Sequence, residues 1–121
     1  MNPPTALVYR RESRLLAVTF ADGVAFELPA EYLRVESPSA EVQGHGPGQK
    51  VIVPGRCHVG IIRIEPVGHY AVRIVFDDLH DSGIYPWALL RQLGEEQASR
   101  WAAYEQALTT RGLSREPSRK T

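Results

Sequence analysis

The stretch HYAVRIVFDDLHDSGIYPW, residues 69–87, decides the fold because it joins a strand, an acidic turn and the start of a helix. Every second residue in its first half is large and apolar, namely Tyr70, Val72, Ile74 and Phe76. This period of two predicts a β-strand that buries one face. Residues 77–83 follow with three carboxylates and one imidazole, which are costly to bury. We therefore expect these residues in a loop at the exposed end of the strand.

Two β-hairpins are predicted around this strand and upstream of it. Alternating apolar residues precede and follow Asp22-Gly23, a pair that favours the tight turn of a hairpin. Residues 59–65 show the alternating pattern again, and Pro66-Val67-Gly68 then turns the chain into the strand at 70–76. The four strands predict either one antiparallel sheet or two small ones.

Helices are predicted on the C-terminal side of the acidic stretch. An apolar stripe marks a helix at residues 88–93, with Gly94 as its C-terminal stop. A second helix ends at Gly112, and its apolar residues are spaced by three and four: Ala98, Trp101, Ala102, Tyr104 and Leu108. Pro29 opens a short helical turn at residues 30–33. The predicted fold class is α+β, with small antiparallel β-hairpin sheets packed with C-terminal α-helices.

The length of 121 residues suits one domain with a real core. Residues 1–5 contain two prolines and little to pack, which predicts a disordered N-terminus. The folded domain is predicted to span residues 6–112. Residues 113–121 are polar and basic, so they are predicted to form a disordered tail that is dispensable for folding.

Charge and cysteine content restrict the classes of partner. Fourteen basic and fourteen acidic residues give a formal net charge of zero, which provides no field to attract nucleic acid or anionic membranes. No stretch approaches the length of a membrane span. The single cysteine, Cys57, cannot form an internal disulfide, and no apolar leader is visible at the N-terminus. We therefore expect a cytoplasmic protein.

A long irregular segment, residues 35–58, contains three prolines and four glycines. It is predicted to be mostly loop, with one short strand at residues 50–53. Loops of this length in a compact domain are often functional. Two interpretations stay open, because its glycines either satisfy turns in a surface excursion or form part of a binding site. Gly44, His45 and Gly46 are the candidate binding residues of this loop.

The acidic stretch offers one candidate metal site. His80 stands among Asp77, Asp78 and Asp81, which are hard oxygen donors. Adjacent side chains on an extended strand point to opposite faces, so the two aspartates at 77 and 78 would converge only if the chain bends. The alternative is structural, since aspartate, serine and glycine are preferred in turns and His80 can bond to a neighbour.

Nucleophilic catalysis finds little support in the sequence. Cys57 is followed by His58, but neighbours on a strand project apart, and apolar surroundings raise the pKa of a thiol. A packed structural cysteine is the simpler interpretation. The chain has no G-x-S-x-G elbow, P-loop or dinucleotide-binding glycine pattern.

Three motifs resemble the gamma-butyrobetaine hydroxylase-like N-terminal domain family. They are LRVESPSAEV at residues 33–42, Gly44-His45-Gly46, and FDDLHDSGIY at residues 76–85. The resemblance extends over about residues 6–112 and supports the predicted fold. Bacterial stand-alone members of this family are classed as a domain of unknown function.

The resemblance also implies what has become of the family's structural zinc site. In carnitine-pathway hydroxylases this domain binds zinc through three cysteines and one histidine. The histidine corresponds to His80, and the cysteine positions correspond to Ser37, Ser39 and Val42. Serine hydroxyls are poor zinc ligands and valine is none. We therefore expect no structural zinc here and no resident cofactor, with a bound zinc or iron as the alternative, and we interpret His80 as a remnant of the family's metal site.

The family also occurs fused to P-loop ATPases that carry iron–sulfur clusters, which implies an accessory role. We expect a protein-interaction domain whose partner is such an iron–sulfur carrier or assembly protein. The predicted contact residues are Gly44, His45, Gly46, Asp77, Asp78, His80 and Asp81. The alternative is a metal-binding domain, or a metal-dependent enzyme component related to 2-oxoglutarate hydroxylases, in which the same acids hold a divalent ion. Catalytic activity of this chain on its own is not predicted.

Overall fold

Two small antiparallel sheets form the framework of the protein. The computed structural model describes residues 2–44, 46 and 48–117, and this part of the chain contains six strands. The first sheet has the order β1-β2-β3, with β1 (Ala6–Arg10), β2 (Leu15–Thr19) and β3 (Ala25–Pro29). The second has the order β4-β5-β6, with β4 (Ile61–Val67), β5 (Ala71–Phe76) and β6 (Gly83–Pro86).

Four helices complete the described fold. Two short helices, α1 (Ala30–Val35) and α2 (Ala40–Gln43), follow the first sheet. Two longer helices, α3 (Trp87–Glu95) and α4 (Gln97–Thr110), follow the second sheet. Helix α3 packs against β3 and α4, so it joins the two halves of the chain. The predicted α+β class, with two small sheets and C-terminal helices, is confirmed. None of the described helices is long and apolar enough to cross a lipid bilayer.

The central strand β5 is buried on both faces, whereas one buried face was predicted. Ala71 and Val75 are buried as well as the face formed by Val72, Ile74 and Phe76, and only Arg73 is partly exposed. Neighbouring strands pair with both edges of β5. Tyr70, which the alternation assigned to the buried face, lies before the strand and is 59% exposed. The prediction was wrong because Ala71 and Val75, on the face expected to be exposed, are themselves apolar and are buried as well.

Two strands were missed, and one predicted strand is wrong. Strand β1 was missed, and β6 was interpreted as a loop because it is short and contains Gly83 and Pro86. Pro86 is tolerated because β6 is at the edge of its sheet. Conversely, residues 50–53 form no strand. Within the described residues, the backbone of this stretch contacts another segment where Val51 N–H donates to the Val42 carbonyl, at 2.6 Å.

Gly94 does not stop a helix as predicted. It lies inside α3, which continues to Glu95. A Cβ at this position would overlap the ring of Phe26 on β3, so the glycine permits a close approach between the helix and the first sheet.

The apolar interior has two parts. The main core lies between both sheets, α1 and α3, and includes Leu16, Leu28, Ile74 and Leu90. A second core is smaller and is formed by Val35, Val42, Val53, Tyr104 and Leu108. The Tyr104 hydroxyl donates to the Val53 carbonyl at 2.6 Å, which fixes the long loop to α4. Thus the loop at residues 35–58 is anchored by burial although it has little regular structure.

The segment at residues 113–117 packs on the domain, in contrast to the disordered tail predicted from composition. Backbone bonds join Gly55 N–H to the Ser114 carbonyl and Cys57 N–H to the Arg115 carbonyl, at 2.9 and 3.0 Å. The Arg115 guanidinium makes two hydrogen bonds to the buried carboxylate of Glu31. A basic residue was expected to be solvated, but here it has a buried anionic partner. Residues 118–121 of the predicted tail lie outside the described part of the chain.

Candidate functional site

The acidic turn, defined as residues 77–82, meets the segment that links α1 to α2. His80 is 5% exposed and lies between Ser37 and Ser39 of that segment and Glu41 of α2. Its Nε2 is 2.9 Å from Ser37 Oγ and 3.3 Å from Ser39 Oγ, and its Nδ1 is 3.1 Å from Glu41 Oε2. The acidic turn and the long loop at residues 35–58 are therefore in contact at these four residues.

The proton on the His80 ring is fixed by its partners. A carboxylate can only accept, so Nδ1 donates to Glu41 and the neutral Nε2 accepts from the Ser37 hydroxyl. Burial, and then the nearby positive charge of Arg34, lowers the pKa of His80. The imidazole is consequently a neutral link between the acidic turn and the α1–α2 segment.

The cluster around His80 does not fit a structural zinc. Both ring nitrogens face hydrogen-bonding partners, and the neighbouring donors are the hydroxyls of Ser37 and Ser39. Val42, at the third cysteine position implied by the family resemblance, is 1% exposed and belongs to the second core. Zinc sites of this structural type need thiolate and imidazole ligands. Hydrogen bonds, and not metal ligands, connect the side chains of this cluster.

Asp78 fixes the acidic turn from inside. Its Oδ2 accepts hydrogen bonds from Arg34 Nε and Arg56 Nε, both at 2.7 Å, and its Oδ1 accepts from the His80 N–H at 3.1 Å. Burial alone would raise the pKa of Asp78, but the hydrogen bonds from Arg34 and His80 hold it below its usual value. Of the predicted contact residues, Asp78 and His80 therefore face the interior.

The outer side of the acidic turn carries Asp77, Leu79 and Asp81, all of which are exposed. Leu79 is 83% exposed, and its backbone φ is 73°. Residues other than glycine and asparagine rarely adopt this left-handed region. Backbone bonds close the turn, from Phe76 N–H to the His80 carbonyl and from Leu79 N–H to the Phe76 carbonyl. The turn thus holds an apolar side chain in water in a strained conformation.

Sequence reasoning did not select Leu79. The available signal was an apolar residue at the apex of a turn where glycine, asparagine and aspartate are preferred. An exposed apolar side chain adds no stability to the fold, so a strained residue of this kind indicates a role in binding.

The backbone conformation of the long loop explains why glycine is required at position 44. Gly44 has a φ of 74°, and a Cβ there would lie 2.6 Å from the backbone oxygen of Gln49. Gly46 is half-buried, and His45 lies outside the described residues. Partner contacts of Gly44, His45 and Gly46 stay a prediction.

Cys57 and His58 lie in a turn at the end of the long loop, so the argument that neighbouring side chains on a strand project apart does not apply to them. Burial, followed by a hydrogen bond with the Glu116 carboxylate, raises the pKa of the Cys57 thiol. The expected direction of this shift is confirmed. Because the thiolate is the reactive form, a raised pKa disfavours Cys57 as a nucleophile.

Replacing His80 with alanine is expected to lower the free energy of unfolding by about 1–2 kcal/mol at neutral pH, since the buried hydroxyls of Ser37 and Ser39 and the exposed carboxylate of Glu41 lose a bond. The lowered pKa also predicts a pH dependence. Stability from neutral His80 is present above the unfolded-state pKa of about 6.5 and is lost as the pH falls through the lower folded-state value. Denaturant titrations between pH 7 and pH 5 should show a smaller loss for His80→Asn than for the wild type. Equal slopes would contradict this role.

Solved structures share this fold. Two NMR solution structures match the whole chain, one at 40% identity with a TM-score of 0.85 over 95% of its own length. The other has 44% identity and a TM-score of 0.83, with 90% of its length covered. A crystal structure of a protein of unknown function from Acidithiobacillus ferrooxidans, which belongs to the DUF971 family, matches 75% of this chain and 91% of its own at 40% identity, with a TM-score of 0.64. A comparison with curated proteins gave no match.

The two three-stranded sheets, the packed helices and the polar cluster around His80 define a small α+β domain. The family model described as gamma-butyrobetaine hydroxylase-like, N-terminal, matches residues 7–91. The chain therefore belongs to the gamma-butyrobetaine hydroxylase-like N-terminal domain family, and the resemblance found in its motifs is confirmed.

Proposed function

We propose that this domain is an accessory protein-interaction module that presents Leu79 on the acidic turn to a protein partner. The observation that carries the proposal is an 83% exposed leucine held at a φ of 73°. The left-handed backbone conformation costs about 1–2 kcal/mol for a residue with a side chain. Because the leucine side chain is exposed, its burial does not offset this cost within the domain. A partner that buries this side chain would recover apolar transfer energy.

Rigidity of the turn supports the same function. Asp78 connects the turn to Arg34 on α1 and to Arg56 in the long loop, and His80 connects it to Ser37. A surface that is already ordered loses less conformational entropy on binding. The turn is therefore suited to recognition without rearrangement.

Charge indicates the chemistry of the partner. Asp77 and Asp81 flank Leu79 and are exposed, and neither forms an ion pair with another residue of the described chain. A complementary surface would have an apolar pocket bordered by lysine or arginine. The proposed partner class, an iron–sulfur carrier ATPase of the cytoplasm, comes from the domain fusions of the family, and its surface would have to carry such a pocket.

The proposal predicts that Leu79→Asn weakens partner binding without harming the fold. Asparagine tolerates a positive φ, so stability should be unchanged or higher by up to about 1 kcal/mol. Loss of the buried leucine should weaken binding at least about tenfold. Calorimetric titration with the purified iron–sulfur carrier ATPase from the same organism measures the affinity, and thermal melts measure stability.

A matched control is Val51→Asn, which also removes an exposed apolar side chain, 48% exposed, from a loop outside the acidic turn. It should bind as the wild type does. Equal affinities of wild type and Leu79→Asn would refute the role of the turn, and absence of binding by the wild type would refute the partner class.

The alternative of a metal-dependent enzyme component has weaker support from the contacts. Asp78 would have to exchange two arginine partners for a cation, and His80 would have to give up its bonds to Ser37 and Glu41. Only Asp77 and Asp81 keep exposed carboxylates in the turn. Two carboxylates alone make a weak site.

A further inference from the structure

Three potential metal ligands of different chemistry meet where the end of the long loop contacts the C-terminal segment. One ligand atom from each of Cys57, His58 and Glu116 lies within 4.8 Å of the other two. The turn at residues 57–58 directs the two neighbouring side chains to one place, which a strand would not do. This group lies outside the acidic turn and has no part in the proposed partner contact.

The position of Glu116 is fixed by the docked C-terminal segment. Gly55 and Cys57 donate backbone hydrogen bonds to Ser114 and Arg115, so two chain segments run side by side up to the site. Arg115 is held in turn by the Glu31 carboxylate, at 2.7 and 2.9 Å. The next residue, Glu116, places its carboxylate 3.5 Å from His58 Nε2. The cluster therefore depends on tertiary contacts as well as on neighbours in sequence.

The donor set is one that zinc prefers, since thiolate sulfur, imidazole nitrogen and carboxylate oxygen are its three protein ligands. On a shared tetrahedral zinc these donors lie roughly 3.2–3.6 Å apart, given bond lengths of about 2.0–2.3 Å. The three donor atoms, which lie up to 4.8 Å apart, must therefore move closer together to bind one ion. His58 and Glu116 are free to rotate because their side chains are 65% and 72% exposed.

We propose that Cys57, His58 and Glu116 form an exchangeable zinc site with a fourth position open to water. Three protein ligands and an open position give a labile site, unlike the closed four-ligand type. The exposure of two ligands lets chelators and competing ligands reach the metal. This labile site is separate from the family's structural zinc site around His80, where the neighbouring donors are serine hydroxyls and not thiolates.

The test is a zinc titration of the full chain, freshly reduced and stripped with a chelator, in competition with a chromogenic chelator. One Zn²⁺ per chain is expected for the wild type. Cys57→Ser should weaken the affinity at least about 100-fold, because loss of a ligand should exceed the 10–100-fold effect of losing an outer contact. Glu116→Gln should weaken it at least about tenfold. Cobalt(II) should give a thiolate charge-transfer band that is absent in Cys57→Ser.

Matched controls separate this site from other histidines and from the acidic turn. His69→Gln removes another histidine, and His80→Asn removes the buried one; both should keep the wild-type affinity. Leu79→Asn should also bind zinc normally, so failure of the partner proposal and failure of this one are distinguishable. Sub-stoichiometric binding by the wild type, or equal zinc affinity of wild type and Cys57→Ser, would overturn the proposal.

Discussion

Replacing Asp78 with alanine is expected to lower the free energy of unfolding by about 3 kcal/mol. Asp78 is the shared anion of Arg34 and Arg56, and the Arg34 side chain is only 10% exposed. Within the described residues, Arg34 Nη1 has no hydrogen-bond partner, so the carboxylate is the main compensation for that buried charge. Removing one member of a buried ion pair typically costs about 3–5 kcal/mol, and the lower end applies because Asp78 and Arg56 are partly exposed. Equilibrium denaturation in urea measures the change.

The lowered pKa of Asp78 also predicts when this stabilisation disappears. It is fully present above the unfolded-state pKa of about 3.9 and is lost as the pH falls through the lower folded-state value. Asp78→Ala should therefore show a smaller loss of stability on acidification than the wild type. Asp81→Asn, an exposed change in the same turn, is the control and should stay within about 0.5 kcal/mol of the wild type. A similar small effect for Asp78→Ala would mean that the arginines are solvated.

Truncation after Gly112 is expected to lower stability by about 2 kcal/mol, whereas the composition of the tail predicted no effect. The deletion leaves the Glu31 carboxylate, which is 7% exposed, without its arginine, and removes the cation contact of Arg115 with the Trp101 ring at 5.2 Å. This loss of stability is smaller than that for a fully buried ion pair because the Arg115 side chain is 45% exposed.

Two variants define which residues of the tail matter. Arg115→Ala in the full chain should reproduce most of the loss, since it removes the same ion pair. Truncation after Pro117 keeps the docked segment and should leave stability within about 0.5 kcal/mol. If all three variants melt like the wild type, the tail does not stabilise the domain.

Local patterns predicted the parts of the fold that depend on local chemistry. The Asp22-Gly23 hairpin is confirmed, with Thr19 paired to Ala25 across the turn and Gly23 at a φ of 85°. The α+β class followed from strand and helix periods in the same way. The short strand β6 was missed because it has only four residues, including a glycine and a proline, and so shows no alternation of apolar and polar residues.

The inner half of the candidate site could not be predicted in this way. Arg34 and Asp78 are far apart in sequence, and no periodicity indicates that a buried arginine on α1 will pair with an aspartate of the acidic turn. The cost of burying carboxylates correctly predicted exposure of Asp77 and Asp81, but an ion pair offsets that cost for Asp78. The docking of Arg115 on Glu31 escaped detection for the same reason.

The division of the interior into a main core and a second core implies that the domain does not open as one unit. The second core holds the long loop to α4 with five buried residues, compared with fifteen in the main core. Cooperative units with less buried apolar surface open at lower free energy. The backbone amide of Val51, which bonds to Val42 beside the second core, should therefore exchange with deuterium sooner than the amides of β5. Transient opening of this region would loosen the support of Ser37 and Ser39 under the acidic turn while the sheets stay folded.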